Sequence, residues 1–397
     1  PDNKLPSADE SGDGEVYNLM DALNLAEAGD IIELGDGTYK TLYDRLKTVA
    51  DGTEGSPITI RGGRDAKLRV PSPSVRVEHS WITIQGFTVD GEHDSADEKN
   101  SIVNKCVEVV GQGKSDSDAL DGFVMKDMLV QNCGGECVRL KNLVVNADVS
   151  GNTIRHCGLY DFEFGNGKNG EGIYIGTSTS QWKHGEDRCD GNWINGNTIS
   201  TCGNECVEVK EGSSGNLIEN NYCANQLDSK SGCYCARGDG NTIRYNEAKG
   251  CQGVGVRLGG KTIDGHHFGQ DNEVYGNKID KAEEGAIMIR VMPQRSVCGN
   301  TCKNGPCWNA TCDDDADLVA VGASAASDDI DNEDSDDDSD DDDDSDDDDD
   351  DSDDNDDDSD GDDDSDDDDD DSSDDDSDDE GDDDSDDGDD DSGDDYQ

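Results

Sequence analysis

Short runs of alternating apolar and polar residues recur along most of the chain. Examples are Trp81-Ile82-Thr83-Ile84, Cys106-Val107-Glu108-Val109-Val110, Gly172-Ile173-Tyr174-Ile175 and Ala286-Ile287-Met288-Ile289. Each run is short and is bounded by Gly, Asn or Asp, so the pattern predicts short strands joined by tight turns. A period of 3.6 is almost absent, which excludes the helical repeat classes.

Two sequence repeats organise these strands. The string Gly-Asn-x-Ile begins at Gly151, Gly196, Gly215 and Gly240, and its asparagines lie 45, 19 and 25 residues apart. The first interval is long enough for two turns, or for one turn with an insertion. A second repeat, Cys-Gly-x-Glu-Cys-Val, occupies residues 133–138 and 202–207. Short strands with a variable period of about 20–30 residues predict a solenoid.

One helix is predicted at the N-terminal end of this repeat region. Leu19, Met20, Leu23 and Ala26 form an apolar stripe within residues 18–28, and Gly29 follows as a C-cap. The strand-like segment 30–34 comes directly afterwards. A helix that leads into the first strand of a solenoid is expected to cap its open edge.

Charge divides the chain into two parts. From Asp313 onward it has 54 acidic residues and no Lys or Arg, which leaves 46 acidic and 31 basic residues before that point. We therefore expect a folded domain over residues 1–312 and a disordered Asp/Ser-rich tail over 313–397. The acidic character argues against a nucleic-acid partner, and no apolar stretch is long enough to span a membrane.

The cysteines indicate an oxidising compartment. All 15 lie between Cys106 and Cys312, and their spacings do not match paired zinc motifs. A disulfide-rich secreted, extracellular protein is the favoured interpretation, with one cysteine left over. The chain begins at Pro1, so we expect a mature product or fragment without its signal peptide. Asn309 begins an N-x-S/T glycosylation motif.

The helix, the segment Ala28-Gly29-Asp30-Ile31-Ile32 with Gly37-Thr38-Tyr39, and the Gly-Asn-x-Ile turns together resemble the pectin-lyase-like superfamily. The resemblance covers residues 15–300. It implies an all-β fold, a single-stranded right-handed parallel β-helix with an N-terminal helical cap. Within the superfamily, the segments around Gly170–Gly176 and Val207–Gly212 look like a group of secreted β-helix-repeat proteins.

A looser similarity to alginate-lyase and chondroitinase-B type polysaccharide lyases implies a set of catalytic residues. In those lyases a Glu precedes a strand that carries a Lys, and the next coil carries an Arg; Glu205, Lys210 and Arg237 occupy comparable places. The resemblance implies that Lys210 is the base, that Arg237 acts as acid or carboxylate holder, and that Glu205 is a metal ligand, with Ca²⁺ as cofactor. Gly203 stands where the pattern has a second Glu, and Gly238 where it often has His, which leaves calcium binding open.

Further residues are candidates for substrate contact. Alternation along the strand 206–210 places Val207 and Val209 in the core and Lys210 in solvent. Arg257 is expected to extend a ladder of basic side chains from Lys210 and Arg237, with Glu171 and Glu208 beside it. Trp182 follows a Ser/Thr-rich loop and is a candidate for stacking on a sugar ring. His267 is a candidate for substrate binding, and its neighbour His266 is expected to point the opposite way.

Alignment of successive coils also predicts disulfides. It places Cys133 beside Cys157, Cys202 beside Cys223, and Cys106 beside Cys137, and neighbouring coils bring Cα atoms within disulfide reach. We therefore predict the pairs Cys133–Cys157, Cys202–Cys223 and Cys106–Cys137.

Two functions are compatible with the sequence. The first is a secreted β-helix protein that binds and cleaves an extracellular polysaccharide, by β-elimination if it is catalytic. The second is a non-catalytic extracellular protein of a wall, of an adhesion system or of a mineral. In either case the acidic tail supplies weak oxygen ligands for divalent cations, or a tether to basic surfaces.

Overall fold

The computed structural model describes residues 3–4, 18–41, 44–71, 73–93, 101–112, 115–165, 170–182, 185–303 and 307. All of them belong to one compact unit. The predicted tail over 313–397 and the glycosylation motif at Asn309 lie outside the described residues. None of the described helices has the length and apolar character needed to cross a membrane.

The predicted N-terminal helix is present. It is α1, Leu19–Leu25, shorter than the apolar stripe suggested. The side chain of Asn18 accepts a hydrogen bond from the Asp21 amide and caps the first turn. Leu19, Ala22 and Leu23 are buried, which places the apolar face of the helix on the first coils. A second short helix, α2, spans Leu159–Phe162.

The rest of the described chain is built from short strands. In chain order they are β1 Asn3–Lys4, β2 Ile31–Leu34, β3 Gly37–Tyr39, β4 Leu46–Lys47, β5 Ile58–Gly62, β6 Ala66–Leu68, β7 Val75–Val77, β8 Ile82–Gln85, β9 Thr88–Asp90, β10 Val107–Val110, β11 Leu120–Asp121, β12 Val124–Lys126, β13 Leu129–Gln131, β14 Val138–Lys141, β15 Val144–Val145, β16 Asp148–Ser150, β17 Thr153–Cys157, β18 Ile173–Ile175, β19 Trp193–Asn195, β20 Thr198–Cys202, β21 Val207–Val209, β22 Leu217–Glu219, β23 Tyr222–Ala224, β24 Gly232–Ala236, β25 Thr242–Arg244, β26 Glu247–Cys251, β27 Val254–Leu258, β28 Thr262–Ile263, β29 His266–His267, β30 Glu273–Tyr275, β31 Lys278–Ala282, β32 Ile287–Ile289, β33 Ser296–Cys298 and β34 Thr301–Cys302.

Three long parallel sheets confirm the predicted β-helix. Sheet A has the order β1-β2-β5-β8-β12-β16-β19-β22-β25-β30-β33, and sheet B the order β3-β6-β9-β13-β17-β20-β23-β26-β31-β34. Sheet C has the order β4-β7-β10-β14-β18-β21-β24-β27-β32. Each coil adds one strand to each sheet, so equivalent residues of successive coils lie about 4.8 Å apart. Apolar side chains of all three sheets fill one continuous core.

Two stacks of buried asparagines hold the corners of the coils. The first stack precedes the sheet B strands and the second precedes the sheet A strands; their members are Asn152, Asn197, Asn221, Asn246, Asn277 and Asn300, and Asn192, Asn216, Asn241 and Asn272. Within the first stack each side chain hydrogen-bonds the next, as Nδ2 of Asn197 does to Oδ1 of Asn221 at 3.0 Å. The Gly-Asn-x-Ile repeat therefore marks two different corners. Its 19-residue interval is part of one coil, and its 45-residue interval is one coil with an insertion.

The predicted disulfide pairings are wrong. The structure instead pairs Cys106 with Cys133, Cys137 with Cys157, Cys206 with Cys223, Cys233 with Cys251, and Cys302 with Cys307. In each of the first four pairs, one cysteine stands just before a sheet C strand or at its start. Its partner lies on the next coil, within the sheet B strand or just after that strand. Residues in register on parallel strands keep their Cβ atoms about 4.8 Å apart, beyond the 3.5–4.5 Å that a disulfide needs, whereas the corner lets the side chains converge.

Three buried cysteines among the described residues are reduced: Cys189, Cys202 and Cys235. The strand register places Cys133 opposite Cys157 and Cys106 opposite Cys137, as the alignment predicted, although neither pair is bonded. Cys223 is opposite Ile199, three positions away from Cys202. It is Cys206 that reaches Cys223, with a Cα–Cα distance of 5.9 Å.

We expect peptide mapping of the unreduced protein to recover the linked pairs Cys137–Cys157 and Cys206–Cys223. Cys189, Cys202 and Cys235 are buried, so they should react with a thiol reagent only after unfolding. The folded and the denatured protein, labelled in parallel, provide the comparison. A Cys202–Cys223 peptide would contradict the corner geometry.

Candidate functional site

The predicted catalytic residues meet on the outer face of sheet C. Val207 and Val209 point into the core, as alternation predicts, and Glu208 points outward between them. Glu208 is in register with Tyr174 on the preceding coil and with Cys235 on the following one. Lys210 and Arg237 each follow the last residue of their strand, so they occupy equivalent places on neighbouring coils.

Glu208 holds these two cations side by side. Its Oε2 lies 3.2 Å from Nζ of Lys210, and its Oε1 lies 3.2 Å from Nε of Arg237. The lysine ammonium also lies 4.9 Å from the centre of the Tyr174 ring, a cation–π distance. Arg257 is in register with Cys235, and therefore with Glu208, and not with Lys210 and Arg237. The basic side chains that were predicted to form one ladder therefore stand at two different positions along the sheet C strands.

The expected solvent exposure of Lys210 is wrong. Only 3% of the residue is exposed, and Arg237, Arg257 and Glu208 are buried as well. Alternation correctly predicts that Lys210 points away from the core, but it carries no information on what surrounds an outward side chain. In surroundings with little water, the charges of this face interact more strongly than they would at an open surface.

A group of buried carboxylates borders the cations. Glu136, Glu171 and Glu205 each stand two residues before the first residue of a sheet C strand, on three successive coils. Carboxylate oxygens of Glu171, Glu205 and Glu208 all lie within 4.8 Å of one another. The Glu171 side chain also accepts hydrogen bonds from the Gly170 amide and from Nδ2 of Asn204.

Burial, together with this crowding, favours the protonated forms of Glu171 and Glu205. Burial, and then the charges of Glu136, Glu205 and Glu208, raise the pKa of Glu171 well above its ordinary value. Burial, and then Glu208, raise the pKa of Glu205 to about 7, although Arg237 and Lys210 oppose the shift. Protons at Glu171 and Glu205 therefore reduce the negative charge that is buried beside Lys210 and Arg237.

Trp182 lies on the insertion between sheet C and sheet A that follows β18. It closes a single 3₁₀ turn, Thr179–Gln181, and its half-buried ring packs edge to face on Phe268 at 5.8 Å. The same turn contacts the face of sheet C, because Nη2 of Arg139 donates to Gln181 at 3.1 Å. Trp182 is thus part of the border of the site, against Gly212, and not an isolated loop residue.

His267 lies on a two-stranded antiparallel ribbon, β28–β29, in the insertion that follows β27. It is exposed, and its Nδ1 lies 2.6 Å from Oγ1 of Thr262. His266 has a different partner, Asp239, in agreement with the prediction that the two rings point in opposite directions.

Sequence reasoning did not identify Tyr174, Glu136, Asp239 or Phe268 as part of this region. Glu136 had a readable signal, because it has the same place in the first Cys-Gly-x-Glu-Cys-Val repeat as Glu205 has in the second. The others come together only through coil register and through the two insertions.

Comparison with known proteins identifies the fold. An alginate lyase from Paenibacillus sp. str. FPU-7 has a TM-score of 0.55 and 20% identity, over 74% of this chain and 96% of that chain. Pectate lyase Pel9A has a TM-score of 0.46 and 14% identity, over 74% and 78% of the two chains. Endopolygalacturonase I from Stereum purpureum has a TM-score of 0.42 and 15% identity, over 72% and 81%. No family model and no curated protein sequence matches the chain.

Proposed function

We propose that this protein is an extracellular polysaccharide lyase that cleaves an acidic glycan by β-elimination on the outer face of sheet C. The observation that carries the proposal is the Lys210–Glu208–Arg237 cluster, which sets two cations on neighbouring coils around one carboxylate. The disulfides favour an oxidising, extracellular location. The alginate lyase described above has the same fold and acts on a polysaccharide, which supports this class of substrate.

Elimination requires removal of the proton next to the sugar carboxylate and stabilisation of the negative charge that develops. Lys210 removes the proton, and it must first lose its own, since an ammonium has no lone pair. Arg237 holds the sugar carboxylate as negative charge develops, the protonated Lys210 passes its proton to the leaving oxygen, and Arg257 and Glu171 contact the neighbouring sugars. Because Lys210 is buried in this structure, entry of a sugar requires the groups around it to move apart.

The direct test is incubation of the full chain with polyuronates, sulfated glycans and neutral glycans. Elimination creates a double bond conjugated to the sugar carboxylate, so an ultraviolet-absorbing product is the expected result with an acidic glycan. New reducing ends without that absorbance would indicate hydrolysis and would contradict the assignment of elimination.

The carboxylates of Glu171, Glu205 and Glu208 fit a calcium ion in ligand type. Calcium prefers carboxylate oxygens, and oxygens of these three carboxylates lie within 4.8 Å of one another. A divalent cation can replace the protons that the raised pKa values of Glu171 and Glu205 favour. Calcium at this place would help to hold a sugar carboxylate. Glu205 and Glu171 would be the principal ligands, since Glu208 already binds Lys210 and Arg237.

We expect calcium to stabilise the folded protein more at pH 8 than at pH 5. The pKa of Glu205 is raised in the folded state from 4.5 to about 7, so its contribution to the free energy of unfolding is present below pH 4.5 and is lost as the pH rises through 7. A bound cation replaces the missing proton and restores stability. Thermal unfolding of the full chain, with and without calcium at both pH values, measures this.

The double variant Glu171→Gln/Glu205→Gln should lose the calcium effect on unfolding. The matched control is Glu283→Gln/Glu284→Gln, which changes two exposed carboxylates. An equal calcium effect in both double variants would assign calcium binding to other parts of the chain and would remove it from this site.

A non-catalytic wall, adhesion or mineral-associated protein is the second candidate function, favoured by the acidic segment after Asp313. That segment offers oxygen ligands to divalent cations or opposite charge to basic surfaces. Binding to calcium mineral or to a glycan without any cleavage across the full panel would favour this function.

A further inference from the structure

Two insertions form a wall beside the face that carries Lys210 and Arg237. One follows β18 and carries Trp182, and the other follows β27 and carries the β28–β29 ribbon and Phe268. The rings of Trp182 and Phe268 meet at 5.8 Å. The second insertion is joined to the site at its root, because the Lys261 amide donates to Oε1 of Glu211 at 2.9 Å.

A histidine on this wall is held in one orientation. Nε2 of His266 lies 2.6 Å from Oδ2 of Asp239, and its ring packs edge to face on Phe268 at 4.5 Å. Asp239 is itself fixed, since its Oδ1 accepts hydrogen bonds from the amides of Gly269 and Gln270. It stands two residues after Arg237, at the turn that leaves sheet C.

This arrangement determines which ring nitrogen is available. A carboxylate only accepts hydrogen bonds, so it selects the tautomer with hydrogen on Nε2 and leaves the lone pair on Nδ1. The side chain of His266 is 51% exposed, so a ligand can reach this ring. Packing of the ribbon does not require this imidazole, since Phe268 already supplies the buried apolar contact. The fixed orientation and the exposure of His266 therefore suit it to binding a ligand.

We propose that His266 is a substrate-binding residue that accepts a hydrogen bond from a hydroxyl of the glycan through Nδ1, with Asp239 as its positioning residue. This rests on the proposed function and extends the sugar-binding surface from sheet C onto the wall formed by Trp182 and Phe268. The half-buried ring of Trp182 offers an apolar face to a pyranose ring, and the buried ring of Phe268 packs against both Trp182 and His266. His266 fixes the rotation of the bound sugar through its hydroxyl.

The test is His266→Phe, which keeps a ring against Phe268 and removes the acceptor. With a glycan that the full chain binds, we expect Kd and KM to rise about 3- to 10-fold, the usual effect of one neutral hydrogen bond. Asp239→Asn offers an amide N–H to Nε2, which moves the ring hydrogen to Nδ1, and should weaken binding although the ring remains. NMR of the histidine ring protons should show the His266 signal shifting as glycan is added.

His79→Phe is the matched control, since it removes another hydrogen-bonded histidine, 2.9 Å from Oγ1 of Thr48, without touching the wall. Equal affinities in His266→Phe and wild type, or a His266 signal that glycan does not shift, would overturn this inference while leaving lyase activity intact. Absence of any glycan binding by the full chain would overturn the inference and the proposed function together.

Discussion

Lys210→Arg should abolish cleavage while leaving the protein as stable as wild type. In the wild-type protein Nζ of Lys210 lies 3.2 Å from Oε2 of Glu208. A guanidinium keeps this ion pair but does not give up its proton at neutral pH. Loss of the general base is expected to lower kcat by about 10²- to 10⁴-fold. The measurements are the rate of unsaturated-product formation and the thermal unfolding midpoint.

Lys210→Ala should differ from Lys210→Arg in stability. From the sequence alone we would expect this truncation of a solvent-exposed lysine to leave the melting temperature unchanged. The structure reverses that expectation, because removing one partner of a buried ion pair costs about 3–5 kcal/mol.

Lys278→Arg, on an exposed position of sheet B, is the control that should change neither rate nor stability. A Lys210→Arg protein that cleaves at the wild-type rate would remove Lys210 from the mechanism and leave it a structural ion pair.

Asn221→Ala should strongly destabilise the protein, because Asn221 is an interior member of its asparagine stack. Its Oδ1 accepts from both the amide and the side chain of Asn197, and its Nδ2 donates to the Ile194 carbonyl and to Asn246. Alanine leaves these buried groups without partners, and we expect a loss of about 3 kcal/mol or more in the free energy of unfolding. Chemical denaturation followed by circular dichroism measures it.

Asn220→Gly provides the matched control one residue away. Asn220 is exposed and has a φ of 56°, which glycine adopts without strain, so its replacement should change stability by less than about 0.5 kcal/mol. If Asn221→Ala were as mild as Asn220→Gly, the stacks would be a consequence of the coil geometry and not a cause of its stability.

The sequence predicts the repeated coils but not the register in which they stack. The Gly-Asn-x-Ile repeat correctly indicated a solenoid, yet it placed Asn197 and Asn216 in one series although they stand at different corners. Both corners need a buried asparagine after a residue with positive φ, so they carry the same local sequence. Only the pairing of strands between coils distinguishes them.

The sequence by itself determined the fold class, the cap helix, the core-facing valines and the outward direction of Lys210, because these depend on local periodicity and turn chemistry. The tertiary structure decided which cysteines bond, how deeply Lys210 is buried, and that Glu136, Glu171 and Glu205 stack on successive coils. Those features depend on which residues of different coils come close together, and insertions of variable length between the coils hide this in the sequence. Alternation fixes the side of a strand on which a residue lies, and only the packing of other coils and insertions fixes what it meets there.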